Sequence, residues 1–150
     1  TREIADKFDN GVTFFNTFSA NPVSCAFGKA VLDVLERDEL QANTQQQAEY
    51  MFSRLNLLKE KHSCIGDVRG AGLYIGVELV TDRLEKTPAT VLAKQVVEKM
   101  KQRFVLLNTN GYDNNIIKIK PPLIIQDTDV DRLIDNLDAV LDELQIEEVA

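Results

Sequence analysis

The sequence predicts an α/β (α+β) fold in which a small, mostly antiparallel sheet is packed with helices. Apolar residues recur at helical spacing in separate stretches, glycine-punctuated β-rich sequence lies between them, and no repeat or low-complexity tract interrupts the order. The chain has 150 residues, 44% hydrophobic and 27% charged, enough for one sizeable core.

Each element rests on a local pattern. Pro22 suits the first turn of a helix, and Val23, Ala26, Phe27, Ala30, Val31, Val34 and Leu35 follow at helical spacing. Asn21 is positioned to cap that helix. The alternative is that hydroxyl and amide side chains of the preceding loop hold an anion at the helix start. A second helix carries Ala48, Met51, Phe52, Leu55 and Leu58 on one face and runs out near His62. Val68 to Gly72 then reads as a short strand or turn, followed by a firm strand from about Leu73 to Val80. Thr87-Pro88 opens a third helix with Leu92, Val96, Met100 and Phe104 inward. Val105-Leu106-Leu107 reads as a short buried strand, and Asn108 to Asn115 as a polar loop. The last helix, capped by Asp127 or Thr128, has Val130, Leu133, Ile134, Leu137, Val140, Leu141 and Leu144 at helical spacing.

Between the last loop and the last helix stands NIIKIKPPLII, Asn115 to Ile125. It alternates like a strand, so Lys118 and Lys120 share one face and Ile117 and Ile119 the other. Two readings of the lysine face stand side by side. The lysines face an anion-binding site, or they blunt a sheet edge that the double proline then ends.

Charge and residue counts narrow the function classes. A net charge of -7 repels polyanions, which argues against nucleic acid or an anionic membrane surface as partner. Cys25 and Cys64 show no CxxC spacing, and the one histidine, His62, has no ligand-type neighbour in sequence, so no disulfide or metal site is expected. His62 suits the negative end of its helix. Cys25 reads as a small buried residue or as a thiol at a helix start. Gly70-Ala71-Gly72 lacks the continuation of a phosphate-binding fingerprint, Arg69 is a candidate for orienting a site, and the acidic residues around Glu143, Glu147 and Glu148 read as a solvated helix end.

Three stretches carry a resemblance. Asn16-Thr17-Phe18-Ser19-Ala20-Asn21-Pro22 resembles the T-F-x-x-N-P loop of class III pyridoxal-phosphate-dependent aminotransferases; Val68-Arg69-Gly70-x-Gly72-Leu73 and Pro121-Pro122-Leu123 match further motifs of that family in the same order. The resemblance implies a fold type I enzyme, with residues 1–37 as the end of the large cofactor domain and its connecting helix, and 38–150 as the small C-terminal domain. Asp82 to Thr90 and Lys118 to Pro122 are similar to the branch that acts as phospholyases on phosphoethanolamine or 5-phosphohydroxylysine. Typical aminotransferases of the class carry an arginine three residues before the double proline, where it grips a substrate carboxylate; here that position is Lys118. A planar guanidinium fork and a compact ammonium are not interchangeable at such a site.

The resemblance further implies pyridoxal 5'-phosphate as cofactor, Thr17 as a hydroxyl donor to the cofactor phosphate of the partner subunit in a homodimer, and Lys118 as a substrate-binding residue. The substrate is a small phosphorylated amine or an amino acid. The expected reaction is elimination of phosphate and ammonia, with alanine-glyoxylate transamination as the alternative and a non-enzymatic binding module as a third reading. Many relatives have two glycines where this chain has Ser19 and Ala20. The lysine that bears the cofactor belongs upstream of Thr1, so no catalytic residue is expected within these 150 residues, and the fragment alone is expected to be inactive. An intracellular setting, mitochondrial matrix or cytosol, completes the expectation.

Overall fold

The computed structural model describes residues 1–13, 15–18 and 21–149, the side chains of 145–149 excepted. The chain divides into two compact units, Thr1–Asp38 and Glu39–Ala150. The first unit holds α1 (Arg2–Phe8) and α2 (Pro22–Arg37). Asn21 caps α2: its side-chain oxygen accepts from the backbone N–H of Val23 at 2.9 Å and of Ser24 at 3.3 Å, satisfying two donors that have no partner inside the helix. The Ser19-Ala20 pair and Phe14 lie outside the described residues.

In the second unit the elements follow as α3 (Leu40–Lys61), β1 (Ile65–Ala71), β2 (Tyr74–Asp82), β3 (Thr87–Pro88), α4 (Thr90–Gln102), β4 (Asn108–Asn110), β5 (Ile116–Ile119) and α5 (Asp127–Val149). The main ladder runs β1-β2-β5-β4 with every pairing antiparallel, and β3 adds a two-residue pairing to β2. Alternation along β2 separates the two faces. Ile75, Val77 and Leu79 are buried with Ile117 and Ile119 of β5, while Tyr74, Gly76 and Glu78 point to the opposite side. Helix α3 packs on β1, α4 on β2, and α5 spans α3 and α4. Met51, Leu55, Val96, Met100, Ile134, Leu137 and Leu141 close the core from the helical side. Each such side chain taken out of water contributes about 1.5–3 kcal/mol.

The structure departs from the sequence reading at four places. Ile65–Ala71 is a full strand rather than a short strand or turn, because its glycines fit the ladder. Gly66 lies against the Val80 side chain, and Gly72 at φ +53 opens the two-residue turn that joins β1 to β2. Thr87-Pro88 pairs with β2 instead of opening a helix; α4 starts at Thr90. Phe104 is exposed, although helical spacing places it inward. The N–H of Val105 bonds to Met100 O and that of Phe104 to Lys101 O, with Phe104 at φ +61. This closing motif ends α4 at Gln102, two residues before Phe104, and swings the ring outward. The fourth strand lies at Asn108–Asn110, and Leu106 is exposed, so Val105-Leu106-Leu107 is an approach to the ladder rather than a buried strand.

Polar contacts lock the helical layer. Gln47 donates to Asp127 at 2.6 Å and Tyr50 to Asp131 at 2.5 Å, while Arg54 pairs with both Asp131 and Asp135. The end of α3 is tied twice. Arg83 donates to the carbonyls of Lys59, His62 and Ile65, filling acceptors left open at a helix terminus. His62 is buried and sits 2.5 Å from Asp138, whose carboxylate also receives Lys61 at 2.7 Å; Lys61 reaches Asp142 as well, at 2.8 Å. His62 thus has a structural partner 76 residues away that no sequence pattern announced. At the far end of α5, Glu143 pairs with Arg103 and, at 3.7 Å, with Lys99, so it is not a free solvated charge.

Asp138 gives this arrangement a pH dependence. Burial by itself raises its carboxyl, but hydrogen bonds from Lys61 and His62 outweigh that and hold it below the ordinary value of 3.8. A carboxylate depressed in the folded state contributes stability above its unfolded value and loses it as pH falls through the folded one. Asp138→Asn is therefore expected to lower the stability of the chain by roughly 1–2 kcal/mol at pH 7. In urea unfolding at several pH values, the gap between the two chains should close as pH drops below 3.8. A gap that widens with acid would refute the assignment.

Candidate functional site

Pairing register determines what surrounds Lys118. On the face of the sheet opposite the helices, Lys118 of β5 lies beside Gly76 of β2, which lies beside Arg69 of β1; Asn108 of β4 stands on the other side of Lys118. The next row along holds Asp67, Glu78, Ile116 and Asn110. Gly76 leaves a gap in the middle of the row, and a pit of about 180 Å³ opens there, lined by Arg69, Tyr74, Gly76, Asn110, Ile116 and Lys118 among others. A Cβ built on Gly76 would meet the Ile116 side chain at 2.9 Å, so any larger residue would fill the floor.

The two cations in the pit differ in their surroundings. Arg69 is held at Nη1 by Glu78 at 2.5 Å and by Asp67 at 3.0 Å. These hydrogen bonds, that with Glu78 first, raise the Arg69 pKa above its ordinary value. Asp67 is pushed up by burial, yet its bonds from Arg69 and Lys59 prevail and keep it below the usual carboxylate range. Lys118 is half-buried and makes no ion pair among the described residues. Lys120 shares its face but is exposed, its ammonium 5.8 Å from the centre of the Tyr74 ring. Lys118 therefore stands within the sheet, between β2 and β4, and not on its edge.

Thr17 belongs to the other unit. It sits in an exposed turn in which Asn16 Oδ1 accepts from the N–H of Phe18 at 2.8 Å, a local geometry that the short polar side chain favours. Its hydroxyl has no partner among the described residues. Cys25 is exposed on α2, and Cys64 is partly buried. Sequence reasoning singled out Lys118 and Arg69 separately, but it missed their alignment across Gly76. The signal for that alignment is a pairing register linking residues 69, 76 and 118, which one sequence does not display.

The profile of the family described as aminotransferase class III matches residues 1–141. The chain is 46% identical over 126 residues to "Alanine--glyoxylate aminotransferase 2 homolog 2, mitochondrial" of Arabidopsis thaliana, covering 84% of this chain and 26% of that protein. It is 39% identical over 141 residues to "Ethanolamine-phosphate phospho-lyase homolog 1" of Caenorhabditis elegans, covering 93% and 30%. Among solved structures, a phospholyase from Arthrobacter in complex with phosphoethanolamine superposes with a TM-score of 0.84 at 35% identity, covering 94% of this chain and 33% of that one. The chain thus spans about a third or less of the length of the relatives it matches.

The hairpin that carries Arg69 into the pit depends on Gly70. At φ +154, a Cβ there would lie 2.1 Å from the Tyr74 carbonyl oxygen. Gly70→Ala is expected to cost about 1–3 kcal/mol. Gly72→Asn, at φ +53 with its nearest neighbour 3.5 Å away, is expected to cost less than about 1 kcal/mol, because asparagine tolerates that region. Thermal unfolding of the two variants checks the order, and equal losses would contradict it.

Proposed function

Since this chain belongs to the class III aminotransferase family, we propose that it is the C-terminal part of a pyridoxal-phosphate-dependent phospholyase. In this reading Thr1–Asp38 closes the large cofactor domain and Glu39–Ala150 is the small domain. The reaction is phosphoethanolamine, or a similar phosphorylated amine, plus water to aldehyde, ammonia and inorganic phosphate. The observation that carries the reading is Lys118: an ammonium with no ion pair among the described residues, lining the pit with Arg69, at the position where the resemblance to the family implies an arginine fork for carboxylate substrates. A compact ammonium suits a ligand that presents phosphate and no α-carboxylate beside its amine. The phosphoethanolamine in the Arthrobacter structure and the name of the nematode relative support the same substrate class.

Pyridoxal 5'-phosphate, when bound, draws electrons from the carbon bearing the substrate amine, so that a proton can leave it and phosphate can depart from its neighbour. The residues present fit a share of that cofactor's binding. Thr17 offers an exposed hydroxyl, unpartnered among the described residues, close before the Asn21-capped start of α2, which suits a hydrogen bond to a phosphate oxygen. We assign that bond to the cofactor of the partner subunit in a homodimer. No lysine of this chain stands in the sequence context of the cofactor anchor, so in this reading the residues here bind and orient. The mitochondrial name of the plant relative supports placing the enzyme in that organelle.

Alanine-glyoxylate transamination is the second reading, favoured by the 46% identity to the plant relative. The complete enzyme separates the two. Unmodified, it is expected to release phosphate from phosphoethanolamine. Lys118→Ala should impair that release, and Lys118→Arg should improve binding of amino acids with a free α-carboxylate, through bidentate pairing. Efficient alanine-to-glyoxylate transfer with no phosphate release would replace the lyase reading with the aminotransferase.

A separate expectation concerns Thr17. In the complete enzyme, Thr17→Ala should weaken cofactor retention by about 1.5–3 kcal/mol, the worth of one hydrogen bond to a charged group. Equilibrium dialysis measures it, and unchanged retention would remove Thr17 from the cofactor site.

A further inference from the structure

Lys118 alone does not account for the shape of the pit or for the way Arg69 is held. Every hydrogen bond that ties Arg69 to a described residue runs through Nη1, to Glu78 and Asp67. A guanidinium has five N–H donors in a rigid fork. The bonds at Nη1 immobilise the group and leave Nε and Nη2 uncommitted among the described residues. Asp67 is itself steadied by Lys59 at 3.3 Å. Such a supported arginine has already lost most of the rotamer freedom that ligand binding would otherwise remove.

The opposite wall is Lys118, two strands away across Gly76, a backbone separation of roughly 10 Å. Because the floor is glycine, the space between the two cationic side chains is open. The charged side chains that line it are Arg69 and Lys118, in a chain whose net charge is -7. The carboxylates of Asp67 and Glu78 lie in the neighbouring row of the sheet, where Arg69 Nη1 engages them.

We propose that Arg69 and Lys118 form the two walls of a phosphoryl seat floored by Gly76, with Asp67 and Glu78 holding the guanidinium so that its remaining N–H groups serve the ligand. A phosphate ester carries a charge of about -1.5 to -2 near neutral pH and three acceptor oxygens, so it can engage cations on opposite walls at once. A planar carboxylate, with one charge and two oxygens, is satisfied by one of them. The seat therefore distinguishes phosphorylated from carboxylated ligands by the number of walls used. Arg69 is the rigid contact and Lys118 the adjustable one. As the seat of a substrate's phosphoryl group, it rests on the lyase reading; as an anion site of this chain, it can be tested without it.

The test is a titration of the ¹⁵N-labelled chain with inorganic phosphate and, separately, with acetate at matched ionic strength. Shifts of Arg69 Nε–H and of the Gly76 and Lys118 amides are followed. The expected result is saturable movement of all three with phosphate, with a dissociation constant on the order of millimolar, and little movement with acetate. Arg69→Gln and Lys118→Gln should each weaken phosphate binding by about tenfold, the loss of one charged contact. Gly76→Ala should abolish it by filling the floor. Its Cβ meets Cγ2 of the β-branched Ile116 at 2.9 Å and the Arg69 carbonyl oxygen at 3.9 Å, so Ile116 must shift, and retained spectral dispersion will show that the sheet persists. Equal responses to acetate and phosphate, a stationary Arg69 Nε–H, or undiminished binding by Arg69→Gln would each overturn the seat. In the complete enzyme, Arg69→Gln should raise KM for phosphoethanolamine more than it lowers kcat. If the unmodified enzyme releases no phosphate, the lyase reading fails, and the titration then decides the seat by itself.

Discussion

The antiparallel register of β2 between β1 and β5 is the constraint on which both the core and the pit depend. Side chains alternate along a strand, so one register places Ile75, Val77 and Leu79 under the helices and leaves Tyr74, Gly76 and Glu78 on the other face. A slip of one residue would exchange the two sets. It would put Glu78 in an apolar core, where an uncompensated carboxylate is expensive, and would expose three large aliphatic residues. The same register aligns Arg69, Gly76 and Lys118 in one row. Core stability and the arrangement of the cationic pit are therefore one structural fact viewed from opposite sides of the sheet.

Much of the helical layer was legible in the sequence. Helices α3 and α5 display long, regular apolar faces, and their predicted inward residues are the buried ones, from Met51 and Leu55 to Leu137 and Leu141. The Asn21-Pro22 pair announced its helix start because capping chemistry is local. The errors arose where local pattern gave way to nonlocal partners. Glycines made Ile65–Ala71 look like a turn, yet antiparallel pairing to β2 along its length makes it a strand. Helical spacing extended α4 to Phe104, whereas a closing motif in the left-handed region stopped it. β4 contains only Asn-Thr-Asn, two of whose three residues are depleted in strands, and it is a strand because β5 supplies its ladder.

The candidate site divides in the same way. Alternation in NIIKIKPPLII showed that Lys118 opposes the buried isoleucines, and the structure agrees. The edge-blunting reading of Lys118 gives way, because β4 flanks β5 on that side. The pairing of Arg69 with Glu78 could not be read beforehand, since opposite charges nine residues apart become neighbours only after the β1–β2 hairpin has formed, whereas Asp67 shares the Arg69 face once residues 65–71 are extended. Likewise His62, unremarkable at the end of a helix, is buried with Asp138 of α5 as its partner.

The strand order carries a consequence for how the chain acquires its fold. β1 and β2 meet through a two-residue turn, and Arg83 secures them to the end of α3 over short sequence distances. The other flank of β2 belongs to β5, which follows only after β3, α4 and β4. Local pairings close quickly, while distant ones must await loop closure. During synthesis from the N-terminus, α3 and the first hairpin can associate while the free side of β2 and the apolar undersides of both still lack β5 and α5. In that interval Ile75, Val77 and Leu79 offer an open strand edge and an uncovered apolar surface, the combination that promotes aggregation of nascent chains. The late position of β5 thus sets how long a ribosome-bound chain exposes this edge and surface.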